Sequence, residues 1–482
     1  MIRRSLLGLL AVSLLAAGCG GAPTAVGTPG LKSTMSRPEQ KARAKSIISN
    51  HQALYAKHQI LVQASGMTEG NLPIKGAKVT ESFQGYQVHE LPANVSLDQA
   101  LDAYYADGRV ASAQPLVLHT TSEQPVTDPT APVVPSLGTV TNDPDLFQQY
   151  WLDKVKAPQA WELTKGNPEV VVAVLDTGVD YTHPDLKGQV VNAPDFGAND
   201  EDSLDEGGHG THVAGIIAAA GNNGEGGSGI APDCKVMAVK VFKPFYDNGQ
   251  YLGFYADDLD IARGIYYAAT HGAKIINMSL GGHGIAPVIQ SVCDDAAGRG
   301  VVVLAAAGND HENDLSDLSP AGVASVIPVV ATDATDRISS FSNFGRMDAL
   351  SAPGASIYST VPSYQPKYGH KGPLNYNYLD GTSMACPVTA GATALVTSYM
   401  LTQVRDFFAS RQIDLKVSPM DLPADEIANA LRYSAVDLGA WDRDPVYGYG
   451  RINVAAARKK LQDKEVVRGI ANKVYRKLLS DS

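Results

Sequence analysis

The chain has few cysteines and more acidic than basic residues, and both features exclude classes of protein. With 4 cysteines in 482 residues, it is not a scaffold framed by disulfides. Lysine and arginine number 39 against 50 aspartates and glutamates, a formal net charge of -11. Nucleic acid is therefore excluded as the main partner, because phosphate binding needs a basic face. No long apolar run follows the N-terminal segment, so membrane contact is expected only through an N-terminal anchor.

The N-terminal segment has the layout of an export signal. An arginine pair precedes an apolar run from Leu6 to Ala17 that is too short to span a membrane. Cys19 follows the small residues that end this run, and this arrangement resembles a bacterial lipobox. The resemblance implies cleavage before Cys19, lipid on its sulfur and export; the alternative is an ordinary signal peptide with a chance cysteine. We expect residues 1–18 to be the lipoprotein signal peptide and residues 19–45 a flexible tether.

Two parts of different character follow the tether. Residues 46–120 contain the strand-like stretches "HQILVQA" and "YQVHELP" and one helix-like apolar spacing, which predicts a small α+β unit. Residues 121–142 form a Pro- and Thr-rich linker. In residues 143–460, short β-branched runs such as "EVVVAVLD" alternate with helical segments, which predicts an α/β fold with a parallel sheet and helices on both faces. The basic, amphipathic residues 461–482 predict a solvated C-terminal helix.

Polar side chains stand where several of these elements begin or end. Asp176, Ser279 and Asn309 each follow a buried strand, and the carboxyl ends of parallel strands meet at one edge of a sheet. His209 lies between glycines where a helix begins, and Ser383 follows a Gly-Thr turn. Each residue alone also fits a turn or a helix cap. Together, a carboxylate can orient a histidine, the histidine can take the serine proton, and the amide can donate to an oxyanion.

Five blocks along the chain carry a family resemblance: "LDTGVDYTHPDL", "GHGTHVAG", "MSLGG", "AAAGN" and "GTSMACP". In this order they resemble the signature blocks of the subtilisin-like serine proteases, with the spacing of the thermitase branch. The resemblance covers roughly residues 143–457 and implies a subtilisin-like fold and a serine endopeptidase that acts through an acyl-enzyme. It also implies the roles of four residues: Asp176 orients, His209 is general base and acid, Ser383 attacks, and Asn309 donates to the oxyanion.

Several alternatives stay open beside this interpretation. Cys386 is a possible second nucleophile, although a small buried cysteine needs no function. Val388 stands where the family commonly has a histidine, which implies altered packing and not lost chemistry. Cys234 and Cys293 could form a disulfide. A catalytically inactive subtilase-fold surface binding protein is the main rival. An α/β hydrolase acting on esters is disfavoured because the serine comes last and no G-x-S-x-G motif surrounds it.

The resemblance also implies binding residues for substrate and metal. An extended polypeptide substrate is expected to add as a strand, held by Ser279, Leu280, Gly281, Ala306, Ala307 and Gly308. A structural calcium ion is implied at Asp143, Asp185, Gly221, Asn223, Glu225 and Gly227. A second calcium ion is suggested at Asp195, Asp200 and Asp202, for which the alternative is a solvated acidic loop.

Residues 46–120 resemble the inhibitory pro-domain of the same family. The resemblance implies that this segment assists folding, inhibits its own enzyme and is cut off by it. The stretch "DGRVASAQPLVLHT" resembles the last pro-domain strand, so the maturation cut is expected between His119 and Leu137. Such a cut would leave the lipid anchor on the removed segment. It would release a monomeric enzyme outside the cell.

Overall fold

The computed structural model describes residues 35–480 except 122, 124–125, 127–131, 248–249 and 370. The predicted signal peptide, Cys19 and most of the predicted tether lie outside the described residues. The described chain begins with an α+β unit, and its elements are α1 (Arg37–Ser49), β1 (Tyr55–Ala64), β2 (Lys78–Phe83), β3 (Tyr86–Glu90), α2 (Leu97–Ala106) and β4 (Val110–Thr121). Strand β1 pairs antiparallel with β3 and β4, and β2 pairs with β3.

The helix α1 corrects the predicted tether, which was expected to reach residue 45. Glu39 Oε2 accepts hydrogen bonds of 2.7 Å from the backbone N–H and the hydroxyl of Ser36, which starts the helix. The helix then buries Ala44 and Ile47 against neighbouring elements. The first helix of the α+β unit therefore begins at Arg37. The sequence did not predict this helix, because its segment is largely polar and has only a few buried side chains to give an apolar pattern.

The larger unit follows with thirteen strands and nine helices among the residues that the structure describes. The strands are β5 (Val171–Asp176), β6 (Val190–Asp195), β7 (Lys235–Lys240), β8 (Lys243–Asp247), β9 (Gln250–Asp257), β10 (Ile275–Met278), β11 (Leu280–His283), β12 (Val302–Ala306), β13 (Leu318–Ser319), β14 (Ile327–Thr332), β15 (Leu350–Pro353), β16 (Ile357–Thr360) and β17 (Tyr376–Leu379). The helices are α3 (Tyr150–Lys154), α4 (Ala157–Trp161), α5 (His209–Ala218), α6 (Asp258–Thr270), α7 (Pro287–Gly298), α8 (Thr382–Ala409), α9 (Ala424–Arg432), α10 (Val454–Lys460) and α11 (Lys464–Ser480).

Seven of these strands form one sheet in the order β15-β14-β12-β10-β5-β7-β6, and every pairing in it is parallel. Alternate residues of β5 face opposite sides: Val172 and Val174 pack with α5 and α8, whereas Ala173 and Leu175 pack with α6 and α7. A sheet buried on both faces explains the nearly continuous apolar runs. The predicted α/β fold class, with helices on both faces, is confirmed.

The C-terminal helix differs from its prediction in one respect. Helix α11 forms as expected, but Ile470, Ala471 and Val474 are buried in the same core as α8. The helix is thus a layer of the larger unit and not a solvated tail. Helix α8 is the one described helix that is long and apolar enough to cross a membrane. Its most apolar stretch of 18 residues is completely buried inside the fold, as a core helix is.

Candidate active site

Asp176 and His209 meet where strand β5 ends and helix α5 begins. His209 Nδ1 donates to Asp176 Oδ1 over 2.8 Å, and both side chains are almost completely buried. Gly208 caps the helix with φ of 97°, a backbone conformation that favours glycine. A Cβ atom at Gly210 would overlap the carbonyl oxygen of Gly178. The glycines around His209 therefore let the helix approach the strand closely enough for this bond.

Ser383 lies in the first turn of α8. Its hydroxyl donates to the carbonyl oxygen of Ser279 over 3.0 Å, and the Ser279 hydroxyl donates back to the carbonyl of Ser383 over 2.8 Å. Backbone N–H groups in a first turn have no partner inside the helix. The N–H of Ser383 is therefore suited to an incoming anion. His209 Nε2 has no hydrogen-bond partner among the described residues.

Asn309 follows β12, and its side chain is oriented by Thr382. The amide oxygen of Asn309 accepts from the Thr382 N–H over 3.0 Å and from its hydroxyl over 2.9 Å. These two bonds assign the oxygen to the Thr382 side, so the amide N–H₂ is directed away from it. The Thr382 hydroxyl also accepts from the N–H of Gly308 over 3.0 Å. Thr382 thus ties the end of β12 to the start of α8, next to the candidate nucleophile.

The pKa of His209 depends on the charges around it. Burial lowers the pKa, but the charge and hydrogen bond of Asp176, with the charges of Glu123 and Asp205, outweigh burial and raise the pKa to about 9. Glu123 belongs to the segment that follows β4. The largest of the raising contributions to the pKa comes from Asp176, and the charge of Glu123 adds to it.

The last residues of β4 are seated between two strands of the larger unit. Leu118 and His119 pair antiparallel with Asp257 and Ala256 of β9. On the other edge, Thr120 and Thr121 pair antiparallel with Gly281 and Leu280 of β11. Of the predicted substrate-binding residues, Leu280 and Gly281 therefore contact this strand directly. Ser279 is buried and is bonded to Ser383 instead.

A cavity of about 300 Å³ opens beside this strand. Its wall includes four of the predicted substrate-binding residues and the candidate oxyanion donor, namely Gly281, Ala306, Ala307, Gly308 and Asn309. Thr120 and Thr121 line its other side. Small residues on the wall leave space for an apolar side chain. The cavity therefore suits one side chain of an extended peptide.

The residues predicted for the first calcium ion lie together. Asp143 accepts from the N–H groups of Asn222 and Asn223 over 2.6 and 2.9 Å, and the Asn223 amide donates to Asp185 over 2.8 Å. Burial and the charge of Asp143 raise the pKa of Asp185 to about 6, although Asn223 and Tyr376 donate hydrogen bonds to it. Two like-charged, buried carboxylates at such proximity fit a cation between or beside them.

The carbonyl groups of the same loop agree with this fit. Among the described residues, no hydrogen-bond donor reaches the carbonyl oxygens of Gly221, Glu225 or Gly227, the three predicted carbonyl ligands. The intervening Gly226 carbonyl does accept, from the N–H of Asp145 over 2.7 Å. Calcium takes oxygen ligands from carboxylates, amides and backbone carbonyls alike. The residues present therefore fit a calcium ion.

The residues suggested for the second calcium ion are arranged differently. Asp195 is buried and pairs with the Lys240 ammonium over 2.8 Å, which already supplies a positive charge. Asp200 and Asp202 accept local backbone N–H groups over 2.9 and 3.0 Å, as turn residues do. No group of three or more acidic, histidine or cysteine side chains that could hold a metal ion occurs in the part of the chain that the structure describes. This geometry favours the alternative of an acidic loop.

The cysteines take no part in this site. Cys234, Cys293 and Cys386 are buried free thiols, so the suggested pair of Cys234 and Cys293 is not formed. Burial raises the pKa of the Cys386 thiol far above its usual range, which removes the thiolate that a nucleophile needs. Val388 is fully buried in the apolar core. Its side chain therefore fills apolar core at a position where the family commonly has a histidine.

Sequence reasoning missed a positioning residue, Asp205. This fully buried carboxylate accepts from the hydroxyls of Thr177 and Thr211 and from the N–H groups of Gly207 and Gly208. These bonds hold the turn before His209 against the end of β5. Its signal in the sequence was an acid four residues before a histidine, which is too common to interpret alone.

The fold is that of the subtilisin-like proteins. The family model described as "Subtilase family" matches residues 167–450, more than half of the chain, and the chain belongs to this family. The family recognised from the sequence blocks is therefore confirmed.

Individual relatives agree with the family. A thermophilic serine proteinase from Bacillus sp. (strain AK1) is 39% identical over 305 residues, 63% of this chain and 65% of that protein. Thermitase from Thermoactinomyces vulgaris is 41% identical over 258 residues, 53% of this chain and 85% of that protein. The crystal structure of fervidolysin from Fervidobacterium pennivorans, a keratinolytic enzyme related to subtilisin, matches with a TM-score of 0.68 and 28% identity, covering 85% of this chain and 62% of that chain. The chain thus spans slightly under two thirds of the first and third of these proteins.

Proposed function

We propose that this chain is the precursor of a serine endopeptidase that hydrolyses peptide bonds of proteins. The observation that carries the proposal is the 2.8 Å bond from His209 to Asp176, in a site that also holds Ser383 and Asn309. Membership of the subtilase family supports the assignment of these four roles. An inactive binding protein of the same fold is not favoured, because every side chain that the chemistry requires is present.

The proposed reaction starts when the Ser383 hydroxyl turns from the Ser279 carbonyl towards His209 Nε2. His209 takes the hydroxyl proton as Ser383 Oγ attacks the scissile carbonyl, and Asp176 stabilises the resulting imidazolium. The Asn309 amide and the Ser383 N–H donate to the oxyanion, which is worth about a hundredfold to a thousandfold per donor. His209 then protonates the leaving amine, and water hydrolyses the acyl-enzyme by the same steps in reverse.

The substrate is proposed to bind as an additional β-strand. The seated residues 118–121 represent its path, since they pair with β9 on one edge and β11 on the other. Main-chain hydrogen bonds supply affinity in this mode, whereas pockets for alternate side chains supply specificity. Polypeptides of many sequences would therefore be accepted, with one side chain in the cavity of about 300 Å³.

Residues 37–121 are proposed to be the intramolecular inhibitor and folding assistant. Three contacts support this role: the strand seated in the cleft, the charge of Glu123 near His209, and an ion pair of 2.7 Å from Arg263 to Glu81. The enzyme would remove the segment itself by a cut between His119 and Leu137. The proposed inhibitor starts at Arg37 and not at residue 46, because α1 belongs to it.

Calcium is proposed as a structural ion at the first site. Asp143, Asp185 and Asn223 would supply side-chain oxygens, and the carbonyls of Gly221, Glu225 and Gly227 the others. When bound, the ion supplies positive charge that offsets two buried carboxylates. It takes no part in the peptide hydrolysis. Its contribution is to the stability of the loop between α5 and β7.

Export with a lipid anchor on Cys19 is proposed for the precursor. The subtilases similar to this chain include a cell wall-associated protease of Bacillus subtilis, which supports export. Self-cleavage would separate the anchor from the larger unit. The larger unit would then be released as a monomer. Fractionation of cells should then show the lipidated fragment with membranes and the larger fragment in the medium. Retention of both fragments on the membrane would contradict the release.

The first experiment is the intact mass of the purified chain. Wild type should lose a fragment that ends between His119 and Leu137, whereas Ser383→Ala should stay uncut. Ser410→Ala, the same change at an exposed serine, should process as wild type does. Digestion of casein by wild type but not by Ser383→Ala tests the endopeptidase. If wild type neither processes nor digests casein, the proposed function is wrong and the inactive binding protein is favoured.

A further inference from the structure

Asp258 is a buried carboxylate whose hydrogen bonds run to the seated strand. It is the first residue of α6 and is completely buried. Its Oδ1 accepts from His119 Nε2 over 2.9 Å, and its Oδ2 accepts from the Val117 N–H over 3.0 Å. Both donors belong to β4. Within the described chain, both hydrogen bonds to the Asp258 carboxylate come from β4 and none from the larger unit that contains it.

The neighbouring acids of α6 are neutralised by their own unit. Lys243 contacts Asp257 over 2.7 Å and Asp260 over 2.6 Å, and Arg263 contacts Asp260 over 3.1 Å. Asp258 lacks such a cation in the larger unit as far as the structure describes it. The one side chain among the described residues that is hydrogen-bonded to its carboxylate is His119 of β4, which is also fully buried. A buried carboxylate without a partner costs several kcal/mol, so this site has a strong preference for an occupant that donates.

The main-chain register defines which residue of a bound peptide reaches Asp258. His119 precedes Thr120, which pairs with Gly281, and His119 itself pairs with Ala256. A substrate that adds along the same path places its corresponding side chain on Asp258. The backbone N–H of the substrate residue two positions before that side chain takes the place of the Val117 N–H. The carboxylate therefore recognises one side chain and one main-chain group.

We propose that Asp258 is a specificity-determining residue, selecting substrates with histidine, or another hydrogen-bond-donating side chain, at the position of His119. The inference rests on the proposed endopeptidase and deepens it by assigning a substrate class. Apolar side chains at this position leave Asp258 unpaired, and acidic ones add a like charge. A site built around a buried hydrogen bond rejects an analogue that lacks the donor. A bond to a charged group corresponds to about tenfold to a hundredfold in preference.

The test is a competition between three peptides that copy residues 114–137, with histidine, alanine or glutamate at position 119. Their relative rates of consumption by the processed enzyme give the ratio of kcat/KM values. We expect wild type to consume the histidine peptide about tenfold or more faster than the alanine peptide, with glutamate slowest. Asp258→Asn should bring the histidine-to-alanine ratio below about threefold. Asp414→Asn, the same change at an exposed aspartate, should keep the wild-type ratio.

Equal consumption of the histidine and alanine peptides by wild type would overturn the inference. So would a ratio that Asp258→Asn leaves unchanged. If wild type cuts no peptide, the proposed function fails, and a second measurement decides the recognition by itself. In full-length Ser383→Ala, the unfolding equilibrium is compared for His119→Ala, Asp258→Asn and both changes together. If the unfolding equilibrium constant of the double variant differs about tenfold or more from the product of the two single effects, the recognition is supported. Additive effects overturn it.

Discussion

Lys274 should make the stability of the folded chain rise with pH above neutrality. It stands just before β10 and is completely buried. Its ammonium donates to the carbonyl oxygens of Gly300 and Leu422 over 2.5 and 2.6 Å. No carboxylate pairs with it among the described residues. Burial, and then the charge of Lys477, lowers the pKa of Lys274 to about 7.

The magnitude follows from linkage between protonation and folding. Between about pH 7 and pH 10.5 the unfolded chain keeps the Lys274 proton and the folded chain does not, so stability rises with pH in that window. A fall of the pKa from 10.5 to about 7 corresponds to at most about 5 kcal/mol, at 1.36 kcal/mol per pH unit. Below about pH 7 both states are charged, and the cost of the buried charge is constant. We expect a rise of about 2–5 kcal/mol, since the short bonds to carbonyls favour the ammonium.

The assay is denaturant unfolding in the Ser383→Ala background, which prevents self-digestion. Lys274→Met removes the titrating group, so the stability of the parent minus that of Lys274→Met should grow from about pH 6.5 to pH 10. Lys187→Met, at an exposed lysine, should give a difference that is flat with pH. Only the slope of the stability difference against pH is used. Its absolute value also contains the cost of the two carbonyls that methionine leaves unpaired. A constant difference for Lys274→Met would show that the buried ammonium keeps its proton, and the reasoning would be refuted.

Three further predictions concern activity, metal and the inhibitor. Asn309→Ala should lower kcat about a hundredfold to a thousandfold with little change in KM, because its amide meets charge that develops in the transition state; peptide kinetics check this, and a loss confined to KM would contradict it. Chelation should lower the Tm of the wild type by about 5 °C or more. Asp185→Asn should have a lower Tm before chelation, and chelation should lower that Tm little further in the same calorimetric scan. Glu81→Ala removes the inhibitor residue that pairs with Arg263 and should speed loss of the cut inhibitor a few-fold. Gel filtration measures this, and an effect that persists in about 1 M salt would exclude the ion pair as its cause.

The four residues of the proposed site were predictable because each lies in a short local pattern. Asp176 ends an apolar strand, and His209 and Ser383 each lie in the first turn of a helix whose cap is a glycine. Local patterns survive in the sequence because steric and hydrogen-bonding rules act on neighbours. The positioning residues Asp205 and Thr382 were missed because their roles depend on contacts across the fold. Thr382, for example, bonds to Asn309, 73 residues away.

The corrections have a similar origin. Helix α1 was assigned to a tether because only Ala44 and Ile47 mark its buried face. Helix α11 was expected in solvent, yet its apolar stripe is buried with α8. Asp195 was suggested as a calcium ligand, yet it pairs with Lys240. In each case the sequence indicates a helix or a charge and does not indicate which surface or counter-charge folding will bring to it.

The sequence by itself determined the fold class and the chain order of the proposed catalytic residues. Each of these follows from patterns with the period of a strand or helix, or from blocks of a few adjacent residues. Tertiary structure alone decided which partner each charge receives. His119 and Asp258 are 139 residues apart and meet in a buried hydrogen bond. The physical reason is that burial strengthens electrostatic interactions and penalises unpaired charges, and burial is a property of the whole fold.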